Sequence, residues 1–74
     1  MNTEEIKKIL GENIYHLRKE YGISRKALAR LIQISEQRLR RVENGDVKAR
    51  FYDFHLKRLG QVFDVHVDEL FENT

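Results

Sequence analysis

The sequence predicts an all-α fold, a compact five-helix bundle, on three observations. Apolar residues recur three or four apart through successive segments, the period of a helix that turns one face to a core. Asparagine or serine stands before several of these segments and glycine after them, where helices start and stop. No proline, repeat or low-complexity tract interrupts the pattern. At 74 residues the chain has material for one core, hence one domain over residues 1–74. It has no cysteine, so stability must come from packing, helped by self-association, and a reducing cytoplasm suits it.

The first helix is placed at about residues 3 to 20. Asn2 and Thr3 are its capping candidates, and Glu4 and Glu5 lie in the turn where the helix dipole favours acids. Ile6, Leu10, Ile14, Leu17 and Tyr21 form its apolar face, and Gly22 ends it, because glycine tolerates the left-handed conformation that closes helices. The stripe predicts core packing. Its acids and bases balance, unlike a membrane-binding face.

Ser24 caps a second segment, RKALARLI, with Ala27, Leu28 and Leu31 as its inward stripe. Gln33 and Ile34 break the pattern. Ser35 then caps a third helix, with Leu39 and Val42 inward and Gly45 as its stop. Two short helices capped alike and joined by a tight turn make a helix-turn-helix layout at about residues 24–44. DVKAR reads as a loop. The next segment, FYDFHLKRLGQVF, sets Tyr52, His55 or Leu56, Leu59, Val62 and Phe63 at helical spacing. Gly60 lies inside it at a cost of about 1 kcal/mol relative to alanine, which close helix packing would explain. HVDELF predicts a fifth, short helix anchored by Leu70 and Phe71.

The net charge of +2 conceals an asymmetry: residues 1–22 are neutral, residues 23–50 carry eight Lys/Arg against three Asp/Glu, and residues 51–74 carry two against five. A basic middle third points to a polyanionic partner, against the plain reading of a solvated basic face. The segment SEQRLRRVENG concentrates the question, with three arginines and only two apolar anchors. No apolar run approaches the roughly 20 residues that span a bilayer, and MNTEEIKK lacks the features of a signal peptide. A soluble, cytoplasmic protein with no membrane association is expected. An enzyme is not: there is no glycine-rich phosphate loop, HExxH or convergent His and carboxylate pattern. No cofactor is expected, and His16, His55 and His66 read as surface or boundary residues, not metal ligands.

With Ser24, Leu28, Ala29, Ile34, Ser35, Leu39, Val42, Glu43 and Gly45 in place, the chain resembles the lambda-repressor-like helix-turn-helix family of phage repressors, Cro proteins and XRE-type bacterial regulators. The resemblance runs from LGENIYHLRKEYGIS through LARLIQISEQRLRRVENG to FDVHVDELF. It implies that Ala29 is the small residue where helices 2 and 3 approach closely, and that Arg18 of helix 1 bridges to Glu43 as a structural ion pair, for which bidentate geometry is available. Three departures stand out. Gln33 replaces the family's turn glycine, which implies either a positive φ at some cost or a slightly different turn there. Arg25 replaces a glutamine, and the loop DVKARF lacks the usual proline and is read as about two residues longer.

The resemblance implies that the third helix, about residues 36–43, is a recognition helix entering the major groove of double-stranded DNA. Glu36, Gln37, Arg38, Arg40 and Arg41 are then the base-reading candidates: glutamine suits adenine, arginine suits guanine, and glutamate accepts from cytosine or orients a neighbouring arginine. Ser24, Arg25, Ser35, Asn44, Lys48 and Arg50 are the phosphate-binding candidates, setting register and affinity, whereas Lys26 and Arg30 read as solvating helix 2. One recognition helix covers few base pairs, so a homodimer on a palindromic operator is expected. Residues from about 51 to 74 are the candidates to contribute to it, through Phe63, Val65, Val67, Leu70 and Phe71, with burial of these side chains within the monomer as the other reading. The expected function is transcriptional regulation, as a repressor. The competing reading is a protein-interaction module, such as an antitoxin that masks a partner protein and binds DNA secondarily.

Overall fold

The structure, a computed structural model, describes residues 2–73. Four α-helices, α1 (Thr3–Glu20), α2 (Arg25–Ile32), α3 (Glu36–Glu43) and α4 (Asp53–Phe63), are followed by a 3₁₀ turn, Val67–Phe71. The expected fifth helix is therefore a single tight turn. Its start is held by the Glu69 carboxylate, which accepts from the His66 N–H at 2.8 Å. No described helix is long and apolar enough to cross a membrane.

Each helix begins where a local acceptor is available. Asn2, Ser24 and Ser35 accept from the backbone N–H three residues on, at 2.8, 3.1 and 3.1 Å. Each thereby satisfies a donor that the helix leaves unpaired. Helix α4 uses a different device: the Nδ1 atom of His55 reaches back to accept from the Tyr52 N–H at 2.9 Å.

The closures share one backbone solution. Gly22, Gln33, Gly45 and Asp64 all adopt positive φ, at 66°, 64°, 76° and 53°. After each, the next residue's N–H reaches back five residues to a helix carbonyl: Ile23 to Arg18, Ile34 to Ala29, Asp46 to Arg41 and Val65 to Gly60. This is the left-handed closure for which glycine is the usual residue. Gln33 and Asp64 adopt it despite carrying side chains.

Helix α1 packs on α3 and the 3₁₀ turn, while α2 packs on α3 and α4. Leu10, Ile14, Leu28, Ile32, Leu39, Leu59, Phe63 and Leu70 meet in the core. Burying one such side chain stabilises the fold by about 1.5–3 kcal/mol. The stripe of α2 differs from expectation: Leu28, Ala29 and Ile32 face inward, while Ala27 is exposed and Leu31 is half exposed. Both Ala27/Leu31 and Leu28/Ile32 are apolar rows four apart. The second row, with the small Ala29 beside it, is the one that faces the core.

In α4 the buried face is His55, Leu59 and Phe63, with Leu56 and Val62 at its margins. Tyr52 precedes the helix and is half exposed. Gly60 accommodates the returning chain, since a β-carbon there would lie 2.9 Å from the carbonyl oxygen of Val65. Two side-chain ties secure the C-terminal segment. The Asn13 amide donates to the carbonyls of Leu70 and Glu72 at 2.8 and 2.9 Å, and the Tyr21 hydroxyl donates to that of Phe63 at 2.7 Å.

Candidate nucleic-acid interface

Helix α3 is positioned from within. Leu39 and Val42 are buried in the core, and Glu43 is buried beside them. The helical period then turns the opposite face outward. Gln37 and Arg41, one turn apart, occupy its centre, with Arg40 and Glu36 to one side, and all four are exposed.

Arg38 takes a flanking position among the base-reading candidates and not an outward one. It lies four residues before Val42, on the margin of the buried face, and its Nε atom is buried without a hydrogen-bond partner. The charge of Arg38 acts on His55 of α4. The Arg38 Nε is thus covered by the protein, unlike the exposed Gln37–Arg41 row.

His55 is a correction, because it is a core residue and not a surface or boundary one, with 1% exposure. Its ring lies against Phe51, Tyr52 and Phe54, with centroids 5.0, 5.6 and 4.0 Å away. An Nδ1 atom that accepts a backbone N–H carries no proton, so the ring is neutral with its hydrogen on Nε2. Burial, and then the charge of Arg38, push its pKa below the usual histidine value.

The angle of α3 to the rest of the domain is set by Glu43. Its carboxylate accepts from Arg18 Nε at 2.8 Å, from the Arg18 terminal nitrogen Nη2 at 3.1 Å and from Arg25 Nε at 3.2 Å. The remaining Arg18 nitrogen donates to the Ile23 carbonyl at 3.2 Å. Hydrogen bonding to Glu43 raises the Arg18 pKa against the opposing effect of burial. One carboxylate thus ties the end of α3 to α1 and to the first residue of α2. Paired charges removed from water add orientation more than net stability, because desolvation offsets much of their attraction.

The phosphate-binding candidates fall into two groups. Ser24 and Ser35 are engaged as helix caps, and Arg25 is half-buried with its Nε on Glu43. Asn44, Lys48 and Arg50 are exposed beyond the end of α3. Among the second group, between Asn44 and Lys48, lies a residue that sequence reasoning missed. Asp46 accepts from Arg41 Nε at 2.8 Å through one carboxylate oxygen and from the Lys48 backbone N–H at 2.9 Å through the other. The backbone bond, and then the arginine, hold its pKa below the usual carboxylate range. An aspartate directly after a helix-closing glycine was the available signal, since its side chain can bond the backbone two residues on.

The expected dimer residues separate as well. Phe63 and Leu70 are fully buried in the core and have no surface to offer a second chain, which removes them from that role. Val65, Val67 and Phe71 are partly exposed.

A family model described as helix-turn-helix matches residues 14–70, from the middle of α1 through the end of the core. No curated protein matches the chain.

Proposed function

Because the chain belongs to the lambda-repressor-like, XRE-type helix-turn-helix family, we propose that it binds specific double-stranded DNA sequences through α3 and regulates transcription, as a repressor. The observation that carries this reading is the row of Gln37 and Arg41, exposed at the centre of a helix whose opposite face is locked into the core. Glutamine and arginine present the bidentate groups that match adenine and guanine edges in the major groove. Arg40 and Glu36 flank the row as further base readers. The exposed Asn44, Lys48 and Arg50 supply phosphate contacts beside it, joined by Arg25 and by the capped N-termini at Ser24 and Ser35.

A single α3 spans few base pairs, so the working unit is a homodimer on a palindromic operator, with half-sites about 34 Å apart. Of the dimer candidates, Val65, Val67 and Phe71 keep surface with which to join the two copies. Selection of bound duplexes from a random pool tests the reading. The wild type should recover a two-fold symmetric sequence, and Gln37→Ala and Arg41→Ala should each weaken binding to it about 5- to 100-fold without unfolding the domain. Recovery of no preferred sequence would overturn the proposal.

A protein-interaction module, of the antitoxin kind, is the second reading. An apolar groove lined by Ile6, Leu10, Ala49, Phe51, Leu56 and Phe71 favours it. Salt separates the two, since DNA binding weakens steeply with rising salt through counterion release, whereas apolar association does not.

A further inference from the structure

We propose that Asp46 is a positioning residue for sequence readout. It aims Arg41 at a guanine and penalises DNA that lacks one at that position. The proposal rests on the reading of α3 as the helix that enters the major groove.

Arg41 and Asp46 are joined twice. The Asp46 backbone N–H donates to the Arg41 carbonyl at 3.0 Å in the closure of α3, and Arg41 Nε donates to the Asp46 carboxylate at 2.8 Å. The left-handed Gly45, at φ 76°, makes the first bond and sets the aspartate beside the arginine five residues earlier. The other carboxylate oxygen is held by the Lys48 N–H at 2.9 Å, so the loop fixes the acceptor before any ligand arrives.

An ion pair as exposed as this one, with 48% and 34% of its side chains accessible, adds little to folding stability. Its consequence lies in orientation. A free arginine side chain must be ordered on binding, which costs affinity. Here Nε is already committed, and the two terminal nitrogens remain free to meet guanine O6 and N7 together.

The carboxylate also has a repulsive role. It is one of only three acids among eleven charged residues in the basic stretch 23–50. Held beside Arg41, it opposes phosphate wherever that arginine finds no guanine to compensate. Specificity is a difference of affinities, and a repulsive element raises it by weakening the wrong complexes.

The test uses the whole chain and two duplexes, the sequence selected by the wild type and a scrambled version of equal length. Asp46→Ala, Arg41→Ala and the double variant are compared after thermal melts establish that each is folded. Asp46→Ala should bind the selected duplex about tenfold more weakly while binding the scrambled one equally or more tightly. Its preference for guanine at one position of each half-site should flatten. The double variant should be no weaker than Arg41→Ala alone. Asp46→Asn, which keeps an acceptor for Arg41, should restore part of the guanine preference. Equal weakening on both duplexes, or an intact guanine preference in Asp46→Ala, would overturn the role of Asp46 and leave the reading of α3 standing. A wild type that binds both duplexes alike would overturn both.

Discussion

Gly11 of α1 abuts the peptide carbonyls that end α3. A β-carbon built on it would lie 2.7 Å from the Glu43 carbonyl oxygen and closer still to that of Val42. The absence of a side chain at Gly11 thus sets the depth to which α3 docks. In a helix interior, alanine is favoured over glycine by about 1 kcal/mol, but the obstructing atoms here are backbone. Gly11→Ala should therefore destabilise the domain, the roughly 1–3 kcal/mol cost of overpacked sites outweighing that gain. At about 4–8 °C per kcal/mol for a domain of this size, a thermal melt resolves the loss. A variant as stable as the wild type would show that α3 can move away without cost.

Gln33 presents the opposite case. It holds φ at 64° in the closure of α2, a conformation that costs an L-residue roughly 1–2 kcal/mol. Glycine would remove that cost, while the added freedom of the unfolded chain returns part of it. Gln33→Gly is thus expected to raise stability by about 0.5–1 kcal/mol, measured by urea unfolding at unchanged slope. Asp64→Gly, at φ 53°, should act in the same direction.

These two positions mark what the sequence discloses and what it leaves unstated. A positive φ at Gln33 was one of two readings of that turn, and the structure decides for it; the caps at Asn2, Ser24 and Ser35 and the bounds of a long periodic helix such as α1 were legible because they are local. The inward face of α2 was not. Eight residues leave two apolar rows, and only contact with α3 and α4 decides between them. His55 competed with Leu56 for one position, and its burial depends on the aromatic residues around it. Gly11 meets residues more than thirty positions away, so no neighbouring pattern announces it. The outward row of α3 followed directly from Leu39 and Val42. Arg38, one turn before Val42, falls at the flank of that row, and its partial burial shows only in the folded domain.

The buried His55 should make stability fall in mild acid. Its folded pKa is depressed, first by burial and then by Arg38, so the unfolded chain takes up this proton more readily than the native state. Stability then rises with pH wherever the unfolded state binds more protons. The contribution is therefore fully present above the ordinary histidine pKa of about 6.5 and is lost as pH falls from there toward the depressed folded value. Protonation would also place a hydrogen on Nδ1 and break its bond to the Tyr52 N–H at the start of α4. Thermal melts between pH 5.5 and 7.5 should show this decline in the wild type and a flatter profile in His55→Gln. Parallel profiles would assign the pH dependence to other groups.

Arg25 can act in the scaffold, at the phosphate backbone, or in both, and one variant separates these roles. In the scaffold its Nε shares the Glu43 carboxylate, but Arg18 already makes two bonds there at 2.8 and 3.1 Å. Truncation of Arg25 consequently leaves Glu43 paired, whereas removal of Arg18 takes away its main buried partner, a loss of about 3–5 kcal/mol in such pairs. Arg25→Ala should therefore melt close to the wild type and well above Arg18→Ala. If its free terminal nitrogens also meet a phosphate, Arg25→Ala should weaken binding about equally on selected and scrambled duplexes. The plot of log affinity against log salt should lose about one unit of slope. An unchanged slope with lowered stability would confine Arg25 to the scaffold and leave Asn44, Lys48 and Arg50 as the phosphate contacts on that side of α3.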